Sequence, residues 1–480
     1  MVTIECVGPQ AFMRGNVPEH VHQQLYLQMS WPHARAIWQP DSLKSWDDGR
    51  IAIYYPKTGR FPTGCVPRVL HVLDHYGIEA VVDRPIPAPN ASLRISNPDA
   101  LYPYQRTMHD VALQHPYGTL QAPPRSGKTC VAAHWIASLQ RTPAIFFVNT
   151  IDLCYQAQEE LSKWLDTEVG IVGDGHYEPA DVTVMSIQSA FYSLKACGKA
   201  KSVKWRDPML VEERPLPNHQ EAVGYLEDCL VRTCDECHHS SAASHTQTYK
   251  AMKSCVFSLG LSATPWCEGG ERILIEAATG PVVHVTRKRE LIEAGRLVPI
   301  HIDIVKVPPK RYPKDTTYAT IYADYIVDNE WRNEQIAKWC DLRREEGHTG
   351  IVFVRHIRHA KALAERTGAT LVTGSVSGEQ RKAIWDALRA RELDLVVGTV
   401  GKEGLDIPVL DGAAMGLGGV SQIQTEQAIT RVMTTAEGKT HGHVLDFYDQ
   451  AKHLSGHSKD RIALYCDDDA YSVRLIENGL

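Results

Sequence analysis

The chain has 480 residues, of which 43% are hydrophobic and 22% are charged, and these are ordinary values for a globular protein of roughly two to four domains. It contains no run of about eighteen apolar residues and no basic-then-apolar amino terminus, so we predict neither a membrane span nor a signal peptide and expect a cytoplasmic protein. The net charge of −6 at pH 7 argues against binding of a polyanion through a strongly basic overall surface, but it allows a local basic groove. The twelve cysteines are scattered along the chain, as is typical of reduced thiols.

A proline-rich stretch separates an N-terminal segment from the rest of the chain. The sequence Arg84-Pro-Ile-Pro-Ala-Pro-Asn90 cannot continue a helix or a central strand, because proline fixes φ and has no N–H to donate. We therefore predict a small α+β accessory module over residues 1–95. Its aromatic side chains form either the core of the module or a surface on which nucleic-acid bases stack. They are Trp31, Trp38, Trp46, Tyr54, Tyr55 and Phe61.

From about residue 100 onward, short apolar runs alternate with stretches of helical periodicity. This pattern predicts doubly wound α/β sheets of parallel strands. The first set of strand candidates is Thr119–Ala122, Ala144–Val148, Val182–Met185, Val256–Leu261 and Val282–Val285, with a helix over Asp152–Leu165. The second set is Ile351–Val354, Thr370–Val372, Leu395–Thr399, Ala413–Leu417 and Val444–Phe447. Gly and Pro interrupt the pattern at Ala294-Gly-Arg-Leu-Val-Pro299, which predicts two domains over residues 96–293 and 294–480.

The segment from Lys195 to Gln220 fits neither domain pattern. Basic residues beside Trp205 are followed by acidic residues and prolines, and this composition predicts an inserted loop. Its basic side chains either contact a phosphate backbone or belong to a solvated surface.

The strongest chemical signal is a candidate phosphate-binding loop. Ala122-Pro-Pro-Arg-Ser-Gly-Lys-Thr129 lies between a predicted strand and the helical run Cys130–Leu139, where backbone N–H groups and the helix N-terminus favour an anion. Lys128 would reach the β- and γ-phosphates of ATP, and the Thr129 hydroxyl would bind Mg²⁺. Ala122 and Arg125 stand where glycine is commoner. The residues predicted to hold the nucleotide here are Pro124, Arg125, Ser126, Gly127, Lys128 and Thr129.

An acidic pair follows about a hundred residues later, where Asp235-Glu-Cys-His238 ends the run Cys229–Cys234. We predict that Asp235 binds Mg²⁺ and that Glu236 orients and deprotonates the attacking water. The neighbouring side chains also suggest a zinc site, although no second cysteine pair follows at a suitable spacing. They are Cys229, Cys234, Cys237, His238 and His239.

Together these segments resemble the superfamily 2 helicases of the DExH type, over most of the chain after residue 100. The resemblance implies two tandem RecA-like domains, in which Gln105 of Tyr102-Pro-Tyr-Gln105 would read the adenine edge. Ser262-Ala-Thr264, together with His238, would couple the state of the nucleotide to domain movement. Thr150 of Asn149-Thr150 and Gln188 of Met185-Ser-Ile-Gln188-Ser189 would contact nucleic acid.

The second domain extends the resemblance through three segments at predicted strand ends. They are Ile351-Val-Phe-Val354 followed by Arg355, Val372-Thr-Gly374, and Gly398-Thr399 followed by Glu403-Gly-Leu-Asp406. The resemblance implies contacts to nucleic acid by Arg355, Thr373, Gly374 and Thr399, and contacts to the nucleotide by Gly404 and Asp406.

The last family motif, Gln-x-x-Gly-Arg-x-x-Arg, is altered. Here it reads Gln427-Ala-Ile-Thr430-Arg431-Val-Met-Thr434, so that threonine replaces the glycine and the second arginine, which is usually the arginine finger. Such an arginine stabilises charge on the transferred phosphoryl group. We therefore expect either that Arg431 is catalytic, with Gln427 on the same helix, or that hydrolysis is weakened. A third alternative is that Arg431 only pairs with surface carboxylates.

Within the superfamily, the chain most resembles the UvsW, RecG and XPB-like group, especially its phage-encoded members. The similarity lies in Arg287-Lys-Arg-Glu-Leu-Ile-Glu-Ala-Gly-Arg-Leu-Val-Pro299 and, in the N-terminal module, in Trp46-Asp-Asp-Gly-Arg50, Tyr54-Tyr55 and Phe61-Pro-Thr-Gly64. It implies an ATP-dependent DNA helicase or translocase for forked or branched DNA, acting in repair or recombination by unwinding or branch migration. A phage-encoded member would work in the cytoplasm of its bacterial host. We expect ATP hydrolysis between the two motor domains, weak sequence preference, strong salt dependence, a monomer, and no membrane partner.

Three other functions stay open. DExH proteins also act on RNA, so an RNA helicase is one alternative. A nucleic-acid-binding scaffold with a weakened ATPase is the second; the lost arginine favours it, and the intact Lys128, Asp235 and Glu236 oppose it. A motor subunit of a restriction complex is the third, and it predicts a nuclease domain or partner, for which this sequence shows no motif.

Overall fold

The computed structural model describes residues 1–32, 50–201, 214–265, 272–399, 410–418 and 422–480. The chain forms two compact units. The first comprises Met1–Pro123 and Gly127–Thr286, and the second comprises Pro124–Ser126 and Arg287–Leu480. The boundary at Thr286 lies a few residues before the predicted seam at residue 294. Within the described residues, no helix is both long and apolar enough to span a bilayer.

The first unit begins with a four-stranded sheet and two helices. The elements are β1 (Val2–Val7), β2 (Gln10–Arg14), α1 (Glu19–Gln28), β3 (Ser30–Pro32), β4 (Arg50–Ala52), β5 (Arg60–Pro62), a single 3₁₀ turn (Thr63–Cys65), α2 (Val66–His75) and β6 (Ala80–Asp83). The sheet has the order β5-β2-β1-β6, and β3 pairs with β4 in a separate antiparallel ribbon. Trp31, Tyr54 and Phe61 are buried in the core of this module, so the core interpretation holds for these three, whereas Tyr55 is exposed beneath the Arg60 guanidinium. Trp38 and Trp46 lie outside the described residues.

The rest of the first unit is an eight-stranded sheet with helices on both faces. Its helices are α3 (Pro103–Gln114), α4 (Lys128–Leu139), α5 (Ile151–Trp164), α6 (Ile187–Ala196), α7 (His219–Asp228), α8 (Ala243–Ala251) and α9 (Arg272–Thr279). Its strands are β7 (Tyr117–Gln121), β8 (Ala144–Val148), β9 (Val169–Gly173), β10 (His176–Glu178), β11 (Val182–Ser186), β12 (Val231–Asp235), β13 (Phe257–Ser262) and β14 (Val282–Val285). The order is β10-β9-β11-β8-β12-β13-β7-β14, and only β10 is antiparallel to its neighbour among these described strands. The central strands are buried throughout because helices cover both faces, which is why they read as continuous apolar runs.

The N-terminal module and the large sheet share one core. Ile273 and Ala277 of α9 belong to the same buried cluster as the module's own residues. Arg68 donates from Nε to Glu276 Oε1 at 2.8 Å across this contact. A Cβ added to Gly64 would lie 2.2 Å from the Glu276 carbonyl oxygen, so glycine is what permits the close approach of the two parts. These contacts explain why residues 1–95 are part of the first unit.

The polar residues of β12 also have a structural reason. Arg232 is only 4% exposed; its guanidinium donates to Ser258 Oγ at 3.1 Å and to the Ala278 carbonyl at 2.6 Å, and it lies over the Tyr249 ring. A buried charge needs such partners. The strand is therefore a central strand despite its polar sequence.

The second unit is a seven-stranded parallel sheet, again with helices on its faces. Its helices are α10 (Lys288–Glu293), α11 (Tyr318–Tyr322, continued by a π-helical turn over Ala323–Val327), α12 (Glu330–Glu345), α13 (Ile357–Thr367), α14 (Gly378–Arg389), α15 (Gln422–Val432) and α16 (Leu454–Asp467). Its strands are β15 (Ile300–Lys306), β16 (Gly350–Val354), β17 (Thr370–Val372), β18 (Leu395–Thr399), β19 (Gly412–Met415), β20 (Gly442–Tyr448) and β21 (Tyr471–Ile476). The order is β17-β18-β16-β19-β20-β15-β21.

The α/β class predicted from the sequence is confirmed, and all ten strand candidates correspond to strands. The run Cys229–Cys234 corresponds to β12, and four further strands after residue 100 were not among the candidates: β9, β10, β15 and β21. The predicted insertion is only partly a loop, because α6 extends to Ala196 and α7 begins at His219. Its centre, which includes Lys204, Trp205 and Arg206, lies outside the described residues.

Candidate functional site

Three adjacent strands of the first unit end at the predicted ATPase residues. In the register of the sheet, Asp235 of β12 pairs with Leu261 of β13, and Ser262 of β13 pairs with Gln121 of β7. The phosphate loop follows Gln121 directly. The parallel sheet therefore brings Asp235, Ser262 and the loop to one edge, the carboxyl ends of the strands, where ligands bind in open α/β sheets.

The loop conformation requires glycine at one position. Gly127 has φ +75° and begins α4, and a Cβ placed there would lie 2.2 Å from Gln105 Nε2. Gln105 itself is buried, and its Oε1 accepts a hydrogen bond from the Tyr102 N–H at 2.9 Å. Gln105 thus packs directly against the phosphate loop. Arg125, where glycine is commoner, also has positive φ, at 66°.

The ammonium group of Lys128, at the start of α4, is hydrogen-bonded to the backbone of the loop. Lys128 Nζ donates to the carbonyl oxygens of Ala122 and Pro123, both at 3.3 Å. Thr129 is the next residue of the helix and is partly buried. The N-terminus of this twelve-residue helix adds partial positive charge. The arrangement suits a polyphosphate.

The two carboxylates next to each other in sequence have different environments. Glu236 has φ +46°, and its N–H donates to Asp235 Oδ1 at 3.0 Å. Burial and the negative Glu236 raise the pKa of Asp235. Burial also opposes ionisation of Glu236, but its contact with His238 and the nearby Lys128 charge outweigh burial and lower its pKa. Lys128 acts on both carboxylates, which places the loop cation and the acidic pair in one electrostatic site.

A short polar network joins Glu236 to the end of β13. The Ser262 hydroxyl donates to Glu236 Oε2 at 3.2 Å and accepts from the Thr264 N–H at 3.1 Å. His238 Nδ1 lies 3.1 Å from the same hydroxyl and 3.2 Å from Glu236 Oε2. Ser262, His238 and Thr264 are all buried. These are the three residues that the sequence assigned to coupling; Ser262 and His238 contact the predicted base directly, and Thr264 is bonded to Ser262.

The zinc alternative has no support in this geometry. Cys234 and Cys237 are both buried, and Cys234 Sγ lies 3.5 Å from Ser240 Oγ. Among the described residues, these cysteines are in no group whose ligand atoms are close enough together for a metal ion.

The nucleic-acid candidates of the first unit lie at two neighbouring strand ends, because Ser186 of β11 pairs with Val148 of β8. Thr150 begins α5 and is partly buried. Gln188 is fully buried, and its Nε2 donates to the Asn149 carbonyl. Its predicted direct contact with nucleic acid does not fit this burial; its side chain instead fixes the backbone next to Thr150. Asn149 Oδ1 is in turn 2.9 Å from the buried His245 Nε2, a partner that no sequence motif indicated.

The candidates of the second unit also share one edge. Val354 pairs with Thr399, and Val372 pairs with Gly398, so the residues that follow β16, β17 and β18 lie side by side. Arg355 is exposed and Gly374 is open to solvent, whereas Thr373 is buried, with its hydroxyl 2.8 Å from Ser375 Oγ.

Arg431 lies in the last turn of α15. It is partly buried, and burial lowers the pKa of its guanidinium. Thr434, which replaces the second motif arginine, is buried and donates to the Arg431 carbonyl at 3.4 Å. The predicted contacts of Gly404 and Asp406 and the side chain of Gln427 lie outside the described residues.

The part of the chain that contains these candidate residues is similar to known proteins. Residues 99–266 match the family described as "Type III restriction enzyme, res subunit", a span that includes the phosphate loop, the acidic pair and Ser262-Ala-Thr264. A helicase candidate of Sulfolobus islandicus filamentous virus (helicase 22) is 27% identical over 365 residues, covering 68% of this chain and 60% of its own length. The DNA 3'-5' translocase XPB2 of Sulfurisphaera tokodaii is 24% identical over 346 residues, covering 64% of this chain and 72% of its own length. The chain thus spans less than two thirds of the viral relative.

The solved structure of a fragment of an HsdR-type subunit assigned to a type I restriction enzyme, from Vibrio vulnificus YJ016, is similar in fold. It has a TM-score of 0.54 and 16% identity, covering 78% of this chain and 68% of the other. The fold is one of RecA-like α/β domains, and the first unit carries the candidate phosphate-loop nucleotide site. Over residues 99–266 the chain matches this family model, and over about two thirds of its length it is similar to proteins named as helicases and translocases, as expected of helicase superfamily 2.

Proposed function

We propose that this protein is an ATP-dependent DNA translocase that unwinds or branch-migrates forked and branched DNA. The observation that carries the proposal is the convergence of Lys128, Asp235 and Glu236 in one site, joined through Ser262 and His238 to the end of a central strand. Its relatives with helicase and 3'-5' translocase names support DNA as the substrate.

In this proposal, each residue of the first unit has a distinct role in ATP hydrolysis. Lys128 and the loop N–H groups bind the β- and γ-phosphates, and Gln105, which packs against Gly127, recognises the adenine. Glu236 is the base that orients the attacking water; its lowered pKa keeps it ionised. The Thr129 hydroxyl and the Asp235 carboxylate are hard oxygen donors that fit Mg²⁺. Bound there, Mg²⁺ would neutralise phosphate charge.

Coupling is proposed to run through the contacts of Glu236. Loss of the γ-phosphate changes the charge that Glu236 faces, and Ser262 and His238 are its immediate hydrogen-bonding neighbours. Thr264 is bonded to Ser262, so a change at the carboxylate reaches the segment that leaves β13. From the second unit, Arg431 would supply positive charge to the transferred phosphoryl group.

DNA is proposed to bind along the strand ends that carry Thr150, Arg355, Thr373, Gly374 and Thr399. Hydroxyl, guanidinium and backbone N–H groups recognise phosphates and carry no sequence information. Weak sequence preference and a steep loss of affinity with salt follow from that chemistry.

The deciding experiment compares Lys128→Ala with Lys163→Ala, which removes an exposed lysine of α5 in the same unit. ATPase activity and strand displacement are measured on forked DNA, a four-way junction, single-stranded DNA and an RNA duplex. We expect Lys128→Ala to lose both activities and Lys163→Ala to keep them. Equal strand displacement by Lys128→Ala and wild type would refute the proposed motor activity. Stimulation of ATP hydrolysis by RNA alone would show that the substrate is RNA and not DNA.

A further inference from the structure

Four histidines and a glutamate meet at the edge of the second sheet that lies opposite the proposed DNA contacts. Helix α12 ends at Glu345, and Glu346 and His348 belong to the turn that leads into β16. His443 is the second residue of β20, and His301 pairs with it from β15. These are the amino-terminal ends of the strands, whereas Arg355 and Thr399 lie at the carboxyl ends. Strands of five residues put the two edges roughly 16 Å apart.

The turn after α12 fixes two of the side chains. Gly347 has φ +68°, its N–H donates to the Arg344 carbonyl at 3.0 Å, and the His348 N–H donates to the Arg343 carbonyl at 2.9 Å. This is the hydrogen-bond pattern that closes a helix with a left-handed glycine. This turn holds Glu346 and His348, which flank Gly347, next to the start of β16.

The ligand atoms of three residues are close enough together to share one metal ion. One ligand atom each of Glu346, His348 and His443 lies within 4.8 Å of the other two. His348 Nδ1 is 3.0 Å from Glu346 Oε2, yet among the described residues this shielded nitrogen has no partner aligned for a hydrogen bond. Zn²⁺ binds histidine nitrogen and carboxylate oxygen at about 2.0–2.2 Å, so two of its ligands lie roughly 3.0–3.4 Å apart. His348 Nδ1 and Glu346 Oε2 already have that spacing, and rotation of the partly exposed side chains would bring a His443 nitrogen to the same distance.

A further imidazole lies beside this trio. The ring centroid of His441 is 4.6 Å from those of both His443 and His301. A neutral imidazole presents a nitrogen lone pair to a metal ion, so this cluster places several potential nitrogen ligands together. Arg343 Nη1 also lies 2.8 Å from Glu346 Oε2. Because a carboxylate has two oxygens, Glu346 can accept from Arg343 and bind a metal ion at the same time.

We propose that Glu346, His348 and His443 form a site for Zn²⁺ or a similar transition-metal ion, with His441 as the adjacent fourth ligand. Nitrogen and oxygen donors without thiolate suit such ions. The ion would link the end of α12 to the start of β20, at the edge of the second sheet opposite the DNA contacts proposed for that unit. It would therefore stabilise the second unit without taking part in the motor chemistry, and the proposal is independent of the proposed function.

The test measures metal binding by the full chain directly. Protein stripped with a chelator is titrated with Zn²⁺ by calorimetry, and its thermal unfolding is followed with and without saturating Zn²⁺. We expect one equivalent to bind, with an increase in Tm. The variants His348→Asn, His443→Asn and Glu346→Gln should each weaken binding at least tenfold and reduce the increase in Tm. Glu345→Gln, which changes the exposed neighbouring carboxylate, should behave as wild type.

Co²⁺ replaces Zn²⁺ in a second measurement, because the chain also contains cysteines. We expect an absorption spectrum of tetrahedral Co²⁺ without a thiolate charge-transfer band, lost in His348→Asn. The proposal is overturned if wild type binds no Zn²⁺, if the three ligand variants bind as wild type does, or if the Co²⁺ spectrum shows thiolate ligation. If His443→Asn fails to fold, His348→Asn and Glu346→Gln, which change partly exposed side chains, decide the question.

Discussion

Replacing Ser262 by alanine tests the proposed coupling network. The substitution removes a hydroxyl that donates to Glu236 Oε2 at 3.2 Å and accepts from the Thr264 N–H at 3.1 Å, in a fully buried position. A hydrogen bond to a charged group contributes about 1.5–3 kcal/mol, and a neutral one about 1 kcal/mol. If the bond to Glu236 is needed to orient the base in the transition state, its loss lowers kcat by about ten- to 150-fold, since 1.36 kcal/mol corresponds to a factor of ten.

Ser258→Ala is the matched control for this prediction. Ser258 lies on the same strand, is equally buried, and is hydrogen-bonded to Arg232 at 3.1 Å and to the Ala278 carbonyl at 3.2 Å. Both substitutions should lower the free energy of unfolding by about 1–3 kcal/mol. Only Ser262→Ala should lower kcat, because Ser258 is near the other end of β13, away from the carboxylates.

The assay is DNA-stimulated ATP hydrolysis with strand displacement, measured well below the unfolding temperature of both variants. Urea unfolding supplies the stability of each. The reasoning is refuted if Ser262→Ala keeps wild-type kcat, or if the two variants lose activity equally.

Three further predictions concern the phosphate loop, the candidate arginine finger Arg431 and the proposed DNA-binding surface. Gly127→Ala should weaken ATP-analogue binding at least tenfold, because its Cβ would lie 2.2 Å from Gln105 Nε2. The control Gly368→Ala has a similar φ of +66° but open space around the new Cβ, so it should leave binding unchanged. Both substitutions should lower the free energy of unfolding in urea by about 1–2 kcal/mol, because both positions have positive φ. Arg431→Ala and Arg431→Lys should both lower kcat by about a thousandfold or more with little change in ATP affinity, and a wild-type kcat for Arg431→Ala would show that another group stabilises the phosphoryl transfer. Arg355→Ala should weaken binding of all DNA sequences alike and reduce the slope of log K against log salt by about 0.7–0.9 in anisotropy titrations, and an unchanged slope would remove Arg355 from the phosphate contacts.

The sequence by itself determined the α/β class and most of the strands, and it supplied the candidate residues of the ATPase site. These features are encoded locally: buried parallel strands read as apolar runs, and a phosphate loop needs its residues consecutive in the chain. Two of the strands that were not predicted, β10 and β21, have partly exposed sides. In β12 the polar sequence hides a central strand, whose buried Arg232 is satisfied by Ser258, Ala278 and Tyr249.

Tertiary structure alone decided which side chains meet. The contact of Ser262 with Glu236 joins residues 26 positions apart, and that of Asn149 with His245 joins residues 96 apart, so neither could follow from local spacing. The burial of Gln188, which does not fit its predicted contact with nucleic acid, likewise depends on tertiary packing. The histidine cluster is the clearest case, because Glu346 and His443 come together only when the sheet aligns the amino ends of β16 and β20. Sequence specifies strands and loops through short-range patterns, whereas strand order sets the long-range contacts.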